Sequence, residues 1–226
     1  MSKKKFLISS LLVLCIVGAG IYMCSDLGVF ISAFFRNQKR MGAIFPSSVF
    51  LARSITKHVA AKDQPIKVLE VGAGTGVFTE QIMKKLRKED MLDVIEIDEN
   101  LCEVLREKCK DHKNIHVHCI SILDWDPPYA YDFIVSSLPF NSFGSDFISS
   151  VLDTYVKIIK NNGIFSYVEH IWTYRIKKLF LKGAQKIDFI KGACMLSDFR
   201  KKFEFDRDFT LPNILPAYTH HLRIEK

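Results

Sequence analysis

Three closely spaced glycines and a nearby glutamate are the residues of this chain best placed to do chemistry. Residues 68–76 read Val-Leu-Glu-Val-Gly-Ala-Gly-Thr-Gly, so a predicted apolar strand that carries Glu70 runs directly into Gly72, Gly74 and Gly76. Glycine adopts positive φ and has no Cβ, so the backbone can turn sharply and a ligand can lie against it. The spacing is not the GxGxxG of dinucleotide-binding proteins, and no Lys-Ser/Thr follows as in a phosphate-binding P-loop.

A second acidic segment ends the next predicted strand. Residues 93–98 read Asp-Val-Ile-Glu-Ile-Asp, and because side chains alternate along a strand, Glu96 and Asp98 share one face. An acidic residue at the end of a second strand, about 20 residues beyond such glycines, can accept hydrogen bonds from both hydroxyls of a ribose. Asp98 is predicted to cap the following helix, where its charge also complements the helix dipole.

These two segments together resemble the first motifs of the class I S-adenosylmethionine-dependent methyltransferases. The resemblance implies that S-adenosylmethionine is the cofactor and that Glu96 binds its ribose. The family usually carries Asp or Glu after strand 3 to accept the adenine amino group, and Ser121 stands there in this chain, or Asp124 if the loop is shifted. The predicted cofactor-binding residues are Glu70, Gly72, Ala73, Gly74, Thr75, Gly76, Glu96, Ile97, Ser121, Ile122 and Ser136.

The end of the fourth predicted strand bears on the acceptor of the methyl group. In nucleic-acid and protein amine methylases an Asn or Asp two residues before a proline accepts from the target nitrogen, and the aromatic residue after the proline stacks on a base. Here Ser137 replaces that Asn or Asp. The residues predicted to orient the acceptor are Ser137, Leu138, Pro139, Phe140 and Asn141. Candidates for the base that removes the amine proton are Tyr167, Glu169 and His170.

The Ser-Leu-Pro sequence resembles the bacterial phospholipid N-methyltransferases, which methylate phosphatidylethanolamine. Residues 41–48, 68–79 and 213–217 match the same family, although Leu215 departs from its usual Asn-x-Pro-Pro-Ala. The resemblance covers roughly residues 36–226 and implies a membrane phospholipid as the acceptor. Two alternatives remain open. One is a ribosomal RNA adenine dimethylase-like enzyme, since that family shares the 68–76 and 94–98 segments, and the other is a non-catalytic S-adenosylmethionine-binding membrane protein.

Strands and helices alternate from Lys67 onward, which predicts a parallel sheet covered by helices on both faces. The expected fold is α/β, with a seven-stranded Rossmann-like methyltransferase sheet that is mostly parallel and has an antiparallel last strand. In such sheets ligands bind beyond the carboxyl ends of the strands. Strands are predicted at 67–71, 92–97, 115–118, 131–136, 163–168, 203–210 and 218–224, and helices at 77–88, 99–110 and 145–160.

The amino-terminal region carries a hydrophobic run. Phe6–Cys24 contains 19 uncharged residues, close to the roughly 20 needed to cross a hydrocarbon core. We therefore expect residues 1–35 to form a membrane anchor with an N-terminal hydrophobic helix, and residues 36–226 to form a cytoplasmic catalytic domain. A cleavable signal peptide is the alternative, because small residues follow at Gly18–Gly20. The orientation stays open, since the basic clusters Lys3–Lys5 and Arg36–Arg40 flank the segment on both sides.

The chain has a formal net charge of +7, which suits binding to anionic lipid headgroups or to nucleic acid. The predicted anchor and the missing Asn favour the lipid. The six cysteines show no CxxC pair and no metal-ligand spacing, so no disulfide and no metal site is predicted. The oligomeric state is left open. Candidates for binding a lipid phosphate, or alternatively members of a solvated charge cluster, are Arg36, Lys39, Arg40 and Arg175.

Overall fold

The computed structural model describes residues 46–170, 177, 181–210 and 216–226. Seven strands and five α-helices lie in these ranges, with short 3-10 turns at Ile122–Asp124 and Phe140–Ser142. In chain order the elements are α1 (Pro46–Ile55), β1 (Lys67–Val71), α2 (Val77–Met83), β2 (Met91–Glu96), α3 (Glu99–Cys109), β3 (Ile115–Cys119), β4 (Tyr131–Ser136), α4 (Ser145–Ile158), β5 (Ile159–His170), α5 (Gly183–Phe203), β6 (Glu204–Thr210) and β7 (Ala217–Ile224).

The strands form one sheet in the order β3-β2-β1-β4-β5-β7-β6. The pairs from β3 to β5 are parallel, whereas β7 runs antiparallel to both β5 and β6. The predicted seven-stranded Rossmann-like methyltransferase sheet is therefore confirmed. The order reverses between β1 and β4, which makes the carboxyl ends of these strands the place where a ligand crevice is expected.

Two apolar cores cover the two faces of the sheet. On one face, Leu69, Val71 and Phe165 pack with the buried side of α4 and with Leu196 of α5. On the other face, Val68 and Val94 pack with residues of α1, α2 and α3. Strands buried on both faces explain why β4 is a continuous run of buried residues instead of an alternating one.

Some boundaries differ from those predicted. The helix expected at 77–88 ends at Met83, because the amides of Lys85 and Leu86 bond to carbonyls only three residues back, at Ile82 and Met83, which tightens the chain into turns. β5 is longer than predicted, and its pairing with β4 shifts register in its first residues, where Asn162 has a φ of 59°. Such a bulge has no apolar periodicity that the sequence could reveal.

The predicted hydrophobic helix within residues 1–35 lies outside the described residues. Among the helices that the structure does describe, none combines the length and apolarity needed to span a bilayer. Residues 36–45, 171–176 and 211–215 are likewise outside the described ranges, and with them lie Arg36, Lys39, Arg40, Arg175 and Leu215.

Candidate active site

The glycine loop between β1 and α2 is left-handed at each of its three glycines. Gly72, Gly74 and Gly76 have φ values of 73°, 58° and 81°. The amides of Gly72 and Ala73 donate to the carbonyl of Ile95 at 2.8 and 3.4 Å, so the loop is fastened to the neighbouring strand β2. Positive φ at alternate positions is strained for any residue with a Cβ, which explains the spacing seen in the sequence.

The loop is also closely packed on both sides. A Cβ added to Gly72 would lie 3.2 Å from both the Cδ2 of Leu138 and the Oγ of Ser137. A Cβ added to Gly76 would lie 2.9 Å from the Cδ2 of Leu105 on α3. The structure therefore brings the predicted cofactor loop and the predicted acceptor segment into contact, as the sequence interpretation requires.

Glu96 holds the loop and the start of α3 through its carboxylate. Its Oε2 accepts from the amide of Gly74 at 2.8 Å, and its Oε1 accepts from the amides of Ile97 and Asp98 at 2.7 and 3.0 Å. Asp98 accepts from the amide of Leu101 and so caps α3, as predicted. A carboxylate in this position faces the glycine loop, where a ribose would lie.

Ile97 follows Glu96 and is 64% exposed, which is unusual for a large apolar side chain beside a buried strand end. An exposed aliphatic face next to a carboxylate and a left-handed glycine loop suits a nucleoside, with the base against Ile97 and the ribose at Glu96. The residues present therefore fit S-adenosylmethionine.

Glu70, which the sequence predicts to contact the cofactor, lies in the interior of the protein. It is fully buried, and neither carboxyl oxygen has a hydrogen-bond partner among the described residues. Burial raises the pKa of Glu70 to about 8, although the nearby Thr79 and Lys108 oppose the rise. The carboxyl of Glu70 lies inside the protein beside α2, so the residue supports the glycine loop from the interior. Direct contact between Glu70 and the cofactor stays a prediction.

The residues after β3 also serve local structure. The hydroxyl of Ser121 accepts from the amide of Leu123 at 3.2 Å and caps the 3-10 turn, and Ile122 is buried. Asp124 closes the same turn. Neither Ser121 nor Asp124 is thereby assigned to the adenine amino group, and both stay predictions.

The acceptor segment follows β4. The hydroxyl of Ser136 is buried and accepts from the hydroxyl of Tyr155 at 2.9 Å, so its side chain anchors the strand end to α4. The hydroxyl of Ser137 donates to the backbone carbonyls of Gly72 and Val71. These two serines join the acceptor segment to the core and to the glycine loop.

Phe140 lies in the core beneath this segment. Its ring is only 3% exposed and packs edge-on against Tyr167, with 5.4 Å between the ring centroids. The ring therefore supports the segment from the core, and a part for Phe140 in orienting the acceptor stays a prediction. Asn141, by contrast, lies at the surface of the segment, and its carbonyl accepts from the Nζ of Lys177 at 3.1 Å.

A charged network beside Asn141 was not predicted as a unit. Arg200 on α5 donates to the Tyr167 hydroxyl at 2.9 Å and to the Glu169 carboxylate at 2.8 Å. The buried His220 lies 3.0 Å from Glu169 and 2.8 Å from Glu204. Its members come from four elements, and Tyr167 and Glu169 precede Arg200 by 33 and 31 residues, so no local motif could reveal it.

The network sets the protonation of two of the three candidate bases, Tyr167 and Glu169. Burial raises the pKa of Tyr167 well above its ordinary value, so the hydroxyl stays protonated. Burial also acts to raise the pKa of Glu169, but the hydrogen bond with His220 and the charge of Arg200 outweigh it, so the pKa falls below its usual value. Asn141 also hydrogen-bonds to Glu169. An ionised, already paired carboxylate is suited to holding Asn141 in position and is a poor base.

Lys108 of α3 is a second residue that the sequence did not point to. Its Nζ donates to the Thr75 carbonyl at 2.7 Å and pairs with Glu80 of α2. Lys108 thereby provides a hydrogen-bond donor to a backbone carbonyl of the glycine loop from the α3 side. Because Lys108 is 33 residues from Thr75, only the folded arrangement reveals the contact.

The chain is similar in sequence to several known methyltransferases. The sequence profile of the family described as ribosomal RNA adenine dimethylase matches residues 34–171. An ornithine lipid N-methyltransferase from Singulisphaera acidiphila is 26% identical over 157 residues, which cover 66% of this chain and 81% of that protein. A ribosomal RNA small subunit methyltransferase A from Thermotoga petrophila is 30% identical over 107 residues, covering 47% of this chain and 40% of that protein.

Among solved structures, the N-methyltransferase NodS from Bradyrhizobium japonicum WM9 in complex with S-adenosyl-L-homocysteine superposes with a TM-score of 0.59 at 16% identity. The superposition covers 85% of this chain and 98% of that one. At this identity the similarity supports the fold. The chain spans less than half the length of the Thermotoga relative, but most of the length of the lipid-modifying one.

Proposed function

Because the chain belongs to the ribosomal RNA adenine dimethylase family and is an S-adenosylmethionine-dependent N-methyltransferase, we propose that its acceptor is the amine of a membrane lipid. Phosphatidylethanolamine is the headgroup that the sequence motifs suggest. The similarity to an ornithine lipid N-methyltransferase supports a lipid amine in general, without selecting that headgroup.

The observation that carries this proposal is the conformation of the acceptor segment. Recognition of a flipped base in related enzymes relies on an Asn or Asp facing the target nitrogen and on an aromatic ring stacked on the base. Here the hydroxyl of Ser137 is directed to the backbone of the glycine loop, and Phe140 is buried against Tyr167. Both groups needed to hold an adenine are thus engaged elsewhere.

The chain's own residues mainly bring two substrates together. S-adenosylmethionine supplies an electrophilic methyl group, and its transfer to an amine needs alignment rather than a covalent nucleophile. Glu96 and the glycine loop hold the nucleoside, and the contact of Ser137 and Leu138 with Gly72 fixes the acceptor segment beside it. Asn141, held by Glu169 and Lys177, is the polar group left to orient the amine.

Membrane association belongs to the same proposal. The hydrophobic run Phe6–Cys24 would hold the enzyme at the bilayer, where its substrate resides. The net charge of +7 would favour an anionic membrane surface. We infer a single amino-terminal membrane segment and a cytoplasmic catalytic domain, in keeping with a cytosolic cofactor.

Methylation of ribosomal RNA is the second candidate. The family profile, whose match includes the glycine loop, and the similarity to a ribosomal RNA methyltransferase favour it. The net charge of +7 would also suit a polyanion. A direct comparison of acceptors distinguishes the two.

The test offers radiolabelled S-adenosylmethionine to the purified full chain with three separate acceptors: phosphatidylethanolamine vesicles, ornithine lipid vesicles and unmodified small subunit ribosomal RNA. Glu96→Gln serves as the cofactor-site variant, and Glu99→Gln, an exposed neighbour, is its matched control. Loss of charged hydrogen bonds of about 1.5–3 kcal/mol should weaken S-adenosylhomocysteine binding about 10- to 100-fold in Glu96→Gln alone, measured by calorimetry.

Label in either lipid, lost in Glu96→Gln and kept in Glu99→Gln, supports the proposal. Label in ornithine lipid without phosphatidylethanolamine would correct the headgroup. Transfer to RNA alone would overturn the lipid assignment. Cofactor binding without transfer to any acceptor would favour a non-catalytic protein, and unchanged affinity in Glu96→Gln would refute the ribose assignment.

A further inference from the structure

A cluster of histidine and aspartate side chains lies on the face of the sheet covered by α1, at the β7–β6 edge. We call His58, Asp206 and His221 the His58 cluster. One ring nitrogen of each histidine and one carboxylate oxygen of Asp206 all lie within 4.8 Å of one another. The Nε2 of His58 is 2.7 Å from the Oδ2 of Asp206, and the two imidazole rings meet edge-on at 4.5 Å.

His221 is the informative member of the cluster. It is fully buried, and its Nε2 has no hydrogen-bond partner among the described residues. The nearest carboxylate that pairs with this nitrogen, that of Asp208, is 3.6 Å away, beyond hydrogen-bond range. A buried ring nitrogen without a hydrogen-bond partner costs free energy unless another atom binds to it.

The other ring nitrogen of His221 is fixed. Its Nδ1 lies 2.8 Å from the hydroxyl of Ser166, the residue opposite it on β5. The contact orients the ring, and when Nδ1–H donates to the Ser166 hydroxyl the lone pair of Nε2 is left free to bind a metal.

We propose that the His58 cluster binds a divalent transition-metal ion such as Zn²⁺, through His58, Asp206 and His221, with Asp208 beside them. Two imidazoles and a carboxylate are the donor set that zinc prefers, whereas Ca²⁺ and Mg²⁺ take oxygen ligands. Tetrahedral zinc with bonds of about 2.0–2.2 Å needs donor atoms roughly 3.3 Å apart, so side-chain shifts of about 1–2 Å close the site.

Lys57 is the group that would compete with the metal. Its Nζ lies 2.9 Å from Asp206 and 3.0 Å from Asp208 and so balances their charges. The side chain of Lys57 is 44% exposed and can move away into solvent. A metal would therefore replace a surface ion pair, and removing the lysine charge should strengthen metal binding.

The proposed role is structural. His58 follows α1, Asp206 lies on β6 and His221 on β7, so one ion would join the segment before β1 to the last two strands of the sheet. The cofactor loop is formed by other residues, so the site is independent of methyl transfer.

The test uses the full chain without a polyhistidine tag, stripped with a chelator and titrated with Zn²⁺ by calorimetry. Co²⁺ absorption then reports a tetrahedral nitrogen and oxygen site. The variants are Asp206→Asn, His221→Asn, Ser166→Ala and Lys57→Gln. His112→Asn, an exposed histidine after α3, is the control. S-adenosylhomocysteine binding verifies that each variant is folded.

We expect one tight Zn²⁺ per chain in the wild type and in His112→Asn. Affinity should fall at least 10-fold in Asp206→Asn and about 10-fold in Ser166→Ala, and should rise in Lys57→Gln. If His221→Asn fails to fold, Asp206→Asn still tests the proposal, because the Asp206 side chain is partly exposed. Absence of stoichiometric binding, or equal affinity in Asp206→Asn and His112→Asn, would overturn the proposal.

Discussion

Glu70 and Glu96 are buried carboxyl groups near the ends of neighbouring strands, and the donors around them differ. Glu96 accepts three backbone N–H bonds, which satisfy an ionised carboxylate. Glu70 has no such partner among the described residues. The two carboxyl groups therefore differ in the backbone donors that surround them.

Glu70 should make stability depend on pH. Its folded pKa, raised to about 8, exceeds the ordinary value of 4.5, so the folded chain retains a proton that the unfolded chain releases. The resulting stability is fully present below about pH 4.5 and is lost as the pH rises through about 8. Relative to Glu70→Gln, the wild type should lose on the order of a few kcal/mol in unfolding free energy between pH 5 and pH 9.

Urea unfolding of both proteins at the two pH values measures this difference. Because all other groups titrate in both proteins, the comparison isolates residue 70. Glu99→Gln, which changes an exposed carboxyl, should track the wild type at both pH values. Parallel pH profiles for the wild type and Glu70→Gln would show that Glu70 is ionised in the folded protein.

At the scale of elements, the glycine loop packs between α3 and the acceptor segment. Gly76 and Gly183 form a matched pair for testing it, because both have positive φ, at 81° and 54°. A Cβ at Gly76 would meet Leu105 at 2.9 Å, whereas a Cβ at Gly183 meets nothing within 4 Å. The pair separates backbone strain from crowding.

Gly76→Ala should therefore be more destabilising than Gly183→Ala. Each carries backbone strain of about 1–3 kcal/mol, and only Gly76→Ala must also displace the Leu105 and Lys108 side chains of α3. Only this variant should weaken S-adenosylhomocysteine binding. Urea unfolding and calorimetry measure the two effects, and equal losses in the two variants would mean that α3 accommodates the methyl group without cost.

The elements themselves were largely predictable, since apolar runs ended by Gly, Asp or Ser marked β1, β2 and β4. The glycine loop was predictable for the same reason, because positive φ demands Gly locally. The burial of Glu70 and Phe140 was not, since a residue type does not state which way a side chain turns at a strand end. The His58 cluster was also missed, because its members lie at positions 58, 206 and 221 and meet only in the folded sheet.

At the scale of the whole molecule, the proposal divides the chain into a hydrophobic segment and a cofactor-binding domain. Removal of residues 1–35 should abolish co-sedimentation with lipid vesicles, because the apolar run Phe6–Cys24 is lost. Affinity for S-adenosylhomocysteine should stay within about twofold, since the glycine loop and Glu96 belong to the predicted domain at 36–226.

Vesicle sedimentation and calorimetry on the full chain and the shortened one check this expectation. Repeating the sedimentation at high salt distinguishes insertion from surface attraction, because salt screens only the latter. Binding of the shortened chain to vesicles at high salt would contradict an amino-terminal anchor.

The position of β7 between β5 and β6 has a consequence for the order of assembly. β6 precedes β7 in the chain but pairs only with it within the sheet. During synthesis β6 therefore emerges with no strand to join, and the edge of β5 stays open until β7 has been made. The sheet is completed only when β7 inserts between β5 and β6. Strand edges are therefore exposed for an interval during each synthesis of the chain, and chaperones would be most valuable in that interval.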